Sequence, residues 1–274
     1  MAEGDSLVRI ARNLRPVMEG AEIVSASAPS PRSSLRMHAS RLEGRQVESV
    51  ETRGKHLLLH LDDGLSLHSH LGMNGGWRVD TGRGFGKPER SAWLLLDVGR
   101  EGSGEGSGQL SPNGRARVAQ FGGTTLRLVR TVELSRDPRL ASLGPDILAD
   151  DLDLETAAAR LRSSTDQIGV ALLDQKLVCG IGNIFKSEAC FEARIDPWRT
   201  AGSLSRAPDG SDEAARLLEI ARRQMLDAVE TGRRPGRIYK KNGRPCRMCR
   251  KTRVRSRGQG DDNRTTYWCP NCQR

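Results

Sequence analysis

The stretch DQKLVCGIGNIFKSEACFEARIDP, residues 174–197, decides how this chain is to be read. Gly180 and Gly182 stand between two segments with helical spacing of apolar residues, 166–176 and 184–193. Glycine lets the backbone turn sharply and approach a ligand closely, and the helix that follows opens with N–H groups that no intrahelical carbonyl accepts. The loop from Cys179 to Asn183 is therefore either an ordinary helix–helix turn or a seat for a phosphate, with the Asn183 amide adding a donor.

Two further helices are expected around this element, over 152–161 and 212–230. In the second, Ala215, Leu218, Ile220, Ala221, Met225 and Val229 form a half-buried face. A Gly/Ser/Pro-rich stretch at 202–211 separates it from the helix before. Upstream the character is different. A leading helix with Leu7, Ile10, Ala11, Leu14 and Val17 on one face follows Asp5, a plausible N-cap. Residues 25–34 read as loop. Leu57, Leu59 and Leu61 alternate, Asp62-Asp63-Gly64 turns, and Leu65 and Leu67 alternate again, which predicts a hairpin. A strand is expected over 92–98, a Gly/Ser/Glu loop over 99–108, and a second hairpin over 117–121 and 125–129 about Gly122-Gly123. The first 134 residues are thus mainly β behind one helix.

Composition supports a folded chain: 36% of residues are hydrophobic and 28% charged, which excludes disorder throughout. No stretch approaches the roughly 18 to 20 apolar residues of a membrane span. The N-terminus carries early acids and no apolar signal-peptide core. The expected location is intracellular and cytoplasmic.

The net charge of +10 is unevenly placed. Residues 232–274 hold fourteen Lys and Arg against Asp261 and Asp262, while the remainder is slightly acidic. Such a block marks either a polyanion-binding surface or a disordered basic tail. Four cysteines within it, Cys246, Cys249, Cys269 and Cys272, form two CxxC knuckles 19 residues apart, close to zinc-ribbon spacing. Two disulfides would be the alternative, but a reducing compartment disfavours them. One zinc ion is expected, structural because four thiolates leave no open position. Cys179 and Cys190 have no partners at ligand spacing and read as packed residues. The five histidines show no metal-ligand spacing and are expected to face a core or a groove.

The 174–197 stretch resembles the helix-two-turn-helix element of the formamidopyrimidine-DNA glycosylase/endonuclease VIII family. Matching stretches occur in the family's order: Glu3-Gly4-Asp5, Arg53-Gly54-Lys55-His56, His70-Leu71-Gly72-Met73, and the four-cysteine finger with Arg264-Thr265-Thr266-Tyr267. The opening is more similar to the endonuclease VIII branch, associated with oxidised pyrimidines. The resemblance implies a β-sandwich-like N-terminal domain with a leading helix, a helical helix-two-turn-helix domain and a zinc-finger β-hairpin. The expected boundaries are 1–134, a linker over 135–149, then 150–231 and 232–274.

The resemblance also implies the chemistry. A damaged nucleotide is flipped from duplex DNA, and the amine of residue 2, freed of Met1, attacks the sugar to form a Schiff base. Glu3 transfers protons. Lys55, Asn183 and Arg264 contact phosphates, and Met73 is either the wedge that fills the vacated stack or a core residue. The implied partner is double-stranded DNA with oxidised or abasic sites, bound by a monomer. One position departs from the pattern: the family's usual proline is here Ala2. A primary amine still forms an imine, but that imine must be protonated to serve as an electron sink. The alternative is a protein that binds damaged or abasic DNA with weak or no catalysis.

Overall fold

The computed structural model describes residues 2–80, 82–100, 114–206 and 211–274. The chain divides into two compact units, Met1–Ala2 with Ser6–Ala141, and Glu3–Asp5 with Ser142–Arg274. Most of the loop expected over 99–108, and residues 207–210 of the expected 202–211 separator, lie outside the described residues.

Among the described residues the first unit is built from helix α1 (Gly4–Met18) and eight strands: β1 (Glu22–Ser27), β2 (Val47–Arg53), β3 (His56–Leu61), β4 (Leu65–His70), β5 (Gly76–Asp80), β6 (Leu94–Gly99), β7 (Arg115–Phe121) and β8 (Thr125–Arg130). Two single turns, α2 (Thr131–Leu134) and α3 (Pro138–Ala141), close it. The strands form two antiparallel four-stranded sheets, ordered β1-β6-β7-β5 and β2-β3-β4-β8. Their alternating apolar residues share one core: Ile23, Leu94, Leu96 and Val118 from one sheet, Leu57, Leu59, Leu67 and Leu126 from the other. Leu7, Ala11, Leu14 and Val17 of α1 enter the same core at 1% exposure or less, as their i, i+3, i+4 spacing predicts. This is the sandwich-like domain behind a leading helix.

Three local expectations are corrected here. β7 and β8 are not a hairpin; β7 pairs with β5 and β6, and β8 pairs with β4 in the other sheet. Gly122 (φ 61°) and Gly123 (φ 119°) carry the chain across that corner, and a Cβ on Gly123 would meet the His70 carbonyl at 2.9 Å. Residues 25–27 belong to β1 rather than to a loop, because its register with β6 extends to Ser27 opposite Leu95. Asp5 is not an N-cap but lies inside the first turn of α1, with its carboxylate engaged by an arginine described below.

The second unit contains α4 (Leu154–Arg162), α5 (Ile168–Ala171), α6 (Asn183–Ala193) and α7 (Glu213–Thr231), then β9 (Arg255–Gln259) and β10 (Arg264–Trp268). Asp153 caps α4 through the Thr156 N–H (3.1 Å), and Asp212 caps α7 through those of Ala214 and Ala215 (2.8 and 3.0 Å). Ala157, Leu161, Ile168, Phe185, Leu217 and Ala221 make its core.

The helix expected over 166–176 shrinks to the single turn α5. Asp174 accepts the Lys176 N–H (2.9 Å), a donor that a continued helix would need, and Gln175 binds the Gly180 N–H and the Ile181 carbonyl of the following loop. β9 and β10 pair antiparallel from Arg264 opposite Gln259 to Trp268 opposite Arg255. Gln259 anchors this hairpin by donating to Gln167 (2.9 Å) and the Pro197 carbonyl (2.8 Å). Among the described residues no helix is long and apolar enough to cross a membrane.

Candidate functional site

Ala2 is partly buried against the first unit's core, and its nitrogen lies 3.4 Å from the Gly72 carbonyl. Gly72 has φ 57°, and a Cβ there would meet Thr124 at 2.7 Å, so this tight turn tolerates only glycine. Met73, next in the turn, is 63% exposed. An apolar side chain of that exposure is not core. Lys55 sits in the turn between β2 and β3, beside His56, the first residue of β3.

Of the histidines, three gather where the sequence showed no cluster. His56 is opposite His70 in the β3–β4 register, with ring centroids 4.8 Å apart, and His56 and His68 rings are 5.0 Å apart. Burial lowers all three pKa values, His56 to about 3 and His68 to about 4, and neighbouring cationic or histidine side chains add to the effect. These rings are neutral at physiological pH.

Glu3 groups with the second unit and is wholly buried. Its Oε1 accepts the Ile184 N–H at 2.9 Å and its Oε2 the Phe185 N–H at 3.4 Å. The N-cap of α6, Gly182, has no side chain to offer, so a carboxylate 179 residues upstream does the capping. The glycine-rich loop is pinned at the same place: the Gly4 N–H donates to the Gly180 carbonyl at 3.0 Å. Asp5, also fully buried, receives Arg234 through two bonds, Nε to Oδ2 at 2.7 Å and Nη2 to Oδ1 at 2.6 Å. Sequence reading missed Arg234, because nothing local marks one arginine among fourteen basic residues as the partner of Asp5.

Asn183 is the first residue of α6 and 5% exposed. Its Nδ2 donates to the Thr265 carbonyl at 2.9 Å, tying α6 to β10, while its Oδ1 is buried with no partner among the described residues. Arg264 opens β10, half-buried, with Nε 3.9 Å from Asp262. Two buried charges also went unmarked. Lys186 is completely buried, donating from Nζ to Thr266 Oγ1 at 2.6 Å, and burial lowers its pKa to about 8. Glu188, also fully buried, accepts the N–H groups of Arg237, Ile238 and Tyr239 at 2.9 to 3.0 Å, holding the segment that leads to the finger.

The four cysteine sulfurs lie within 4.8 Å of one another, with Cys246–Cys272 and Cys249–Cys269 at 3.8 Å. A tetrahedral zinc with bonds near 2.3 Å requires sulfurs about 3.8 Å apart, whereas a disulfide requires about 2 Å. The donor set therefore fits a metal ion and not two disulfides. Cys179 and Cys190 are both buried and form no disulfide.

Two family models match: the formamidopyrimidine-DNA glycosylase N-terminal domain over residues 1–105 and the formamidopyrimidine-DNA glycosylase H2TH domain over 143–238. A probable endonuclease 8 2 of Streptomyces coelicolor is 35% identical, covering 100% of this chain and 94% of that protein. A formamidopyrimidine-DNA glycosylase of Bradyrhizobium is 32% identical over the full length of both. Among solved structures, a MutM (Fpg) protein of Thermus thermophilus superposes with a TM-score of 0.75 at 28% identity over 99% of this chain and 98% of that one. The formamidopyrimidine-DNA glycosylase of Lactococcus lactis, bound to DNA with an abasic site, has the same fold, with a TM-score of 0.78 at 23% identity over the full length of both.

Proposed function

The chain belongs to the formamidopyrimidine-DNA glycosylase/endonuclease VIII family of base-excision-repair glycosylases, and from that premise we propose that it removes oxidised bases, pyrimidines above all, and cleaves the resulting abasic site. The nucleophile in this reading is the amine of Ala2 after loss of Met1. The carrying observation is Glu3: a carboxylate with no exposure, held by two backbone N–H groups, adjoining Ala2 in the chain.

An α-amine has a reference pKa of about 7.7 to 8.0, well below that of lysine. It precedes helix α1, whose positive end disfavours ammonium, so a fraction of free amine is present at neutral pH. Attack of that amine on C1′ expels the base and gives an imine on the opened sugar. Glu3 moves protons to and from the deoxyribose as the ring opens. The alanine imine must take up a proton before it draws electrons from C2′, a step that the iminium of a proline does not need. Rate, rather than reaction type, is what Ala2 changes.

Phosphate contacts from Lys55 and Arg264 hold double-stranded DNA in this reading, with Met73 entering the vacated stack. Asn183 joins them through its second Nδ2 hydrogen, since the first is committed to Thr265. One zinc ion, held by Cys246, Cys249, Cys269 and Cys272, keeps the finger folded, and one copy of the chain acts alone. Supporting the substrate class are the Glu3-Gly4-Asp5 opening and the endonuclease 8 relatives.

The deciding experiment is borohydride trapping on a duplex with one abasic site, using protein whose N-terminus has been established by mass. The expected result is a covalent adduct mapped to Ala2. Protein that lacks Met1, binds the site tightly and gives no adduct would instead be a damage-binding protein, the reading that Ala2 alone favours.

A further inference from the structure

His56 of β3 and His68 of β4 are not used by the chemistry above, yet the hydrogen bonds that join them to Arg127 run in one direction only. His56 and His70 face each other across β3 and β4, and His68 faces Arg127 across β4 and β8. Strand alternation places these side chains on the face opposite Leu57, Leu59 and Leu67. His68 Nδ1 lies 3.1 Å from both Nε and Nη2 of Arg127, whose Nη2 also donates to Asp137. His68 Nε2 lies 2.8 Å from His56 Nδ1.

A guanidinium has donors and no acceptor. His68 Nδ1 must therefore accept, which puts the His68 proton on Nε2. That proton points at His56 Nδ1, which must accept in turn, so the His56 proton resides on its own Nε2. Arg127, permanently charged, thus determines the tautomer of a ring two side chains away. Asp137 holds the guanidinium in place.

We infer that His68 is a positioning residue: it locks His56 as the Nε2–H tautomer, so that His56 adds a hydrogen-bond donor beside Lys55 for the phosphate that flanks the lesion. The inference rests on the phosphate role proposed for Lys55. His68 is fully buried, whereas His56 is only partly so, and its Nε2 has no hydrogen-bond partner among the described residues. The relay therefore runs outward from the protein interior. A free neutral imidazole divides between two tautomers, and the wrong one would turn a lone pair toward a phosphate oxygen. Locking removes that state. Lys55, His70, Arg127 and Arg139 are the basic groups around this cluster, Asp137 and Glu133 the acidic ones acting on Arg127, and burial, with the cations adding to it, keeps both relay rings neutral.

Nitrogen-15 spectra of the full zinc-loaded chain test the tautomer directly. The expected His56 signals are those of protonated Nε2 and bare Nδ1 from pH 6 to 8; the reverse pattern, or an imidazolium, overturns the inference without any variant. His68→Leu should mix the His56 tautomers and weaken binding to a duplex bearing a stable abasic-site analogue by about tenfold, the scale of one charge-assisted hydrogen bond. His68→Gln, whose carboxamide accepts from Arg127 and donates to His56, should restore both to within about twofold. Unchanged tautomer and affinity in His68→Leu, or no rescue by His68→Gln, would refute the relay. Lys55→Ala is read separately: wild-type affinity there would remove the phosphate role of Lys55 while leaving the tautomer result standing.

Discussion

A Cβ placed on Gly182 would lie 2.3 Å from Cδ of Glu3, so the glycine and the buried carboxylate share space that only one side chain can occupy. The backbone of Gly182 is extended (φ −126°, ψ −171°), a conformation open to any residue. Its requirement is therefore steric, and the nearest atoms that impose it belong to Glu3.

Gly182→Ala should displace Glu3 by enough to lower turnover about a hundredfold, the scale expected for a misplacement near 1 Å. Glu3→Gln, which keeps the shape and loses the proton carrier, should abolish turnover while binding of abasic DNA stays within about threefold. Single-turnover cleavage and equilibrium binding on the same duplex check both. Equal loss of binding and turnover in Glu3→Gln would make Glu3 a helix cap and nothing more.

The Asp5–Arg234 pair joins a fully buried carboxylate to a guanidinium whose side chain is 21% exposed. Removing one partner strands the other, and urea denaturation of Asp5→Asn or Arg234→Met should show a loss of about 3 to 5 kcal/mol. The double variant Asp5→Leu with Arg234→Met should recover part of it. Single variants within about 1 kcal/mol of wild type would show that water reaches and solvates the pair.

Cys249→Ser should bind no zinc and lose most of its DNA affinity, with elemental analysis and binding measured on the same sample. Trp198 and Trp268 pack edge to face at 5.1 Å, and Arg257 lies 4.1 Å from the Trp198 ring centroid. The near-ultraviolet signal of that pair should collapse when a chelator strips the wild type. Undiminished binding by the zinc-free variant would remove the finger from the DNA interface.

Lys186 has a folded pKa of about 8 against a reference of 10.5, because burial penalises its charge. Between those values the unfolded chain binds more protons than the folded one, so this residue makes stability rise with pH across that window. Below pH 8 the full penalty, on the order of 3 kcal/mol, is present. Lys186→Met lacks it, and wild type should gain on the variant as pH rises from 8 to 10.5. Parallel pH–stability curves would mean that Lys186 is solvated in the folded state.

The readable part of the site is the part carried by residue type and short spacing. Four thiolates in two knuckles, Glu3 behind residue 2, Lys55 in its turn and the glycines of the 180–182 loop are each local patterns with one dominant chemistry. Met73 reads from sequence as either core or wedge, and its exposure decides against core. The apolar periods of α1 and α7 were legible for the same reason: a 3.6-residue stripe records which face is buried.

What the sequence by itself determined, then, is the family, the order of β-rich, helical and finger segments, and the four-thiolate set, because these rest on chemistry within a few residues. Only the tertiary structure decided the partners. It gave Glu3 to the N-terminus of α6, Asp5 to Arg234, Asn183 to Thr265, and three histidines to one another. It also sent β7 and β8 to different sheets. Those pairings join residues up to 229 positions apart, and no local spacing encodes which of many like side chains will be buried together; close packing of the folded chain makes that selection.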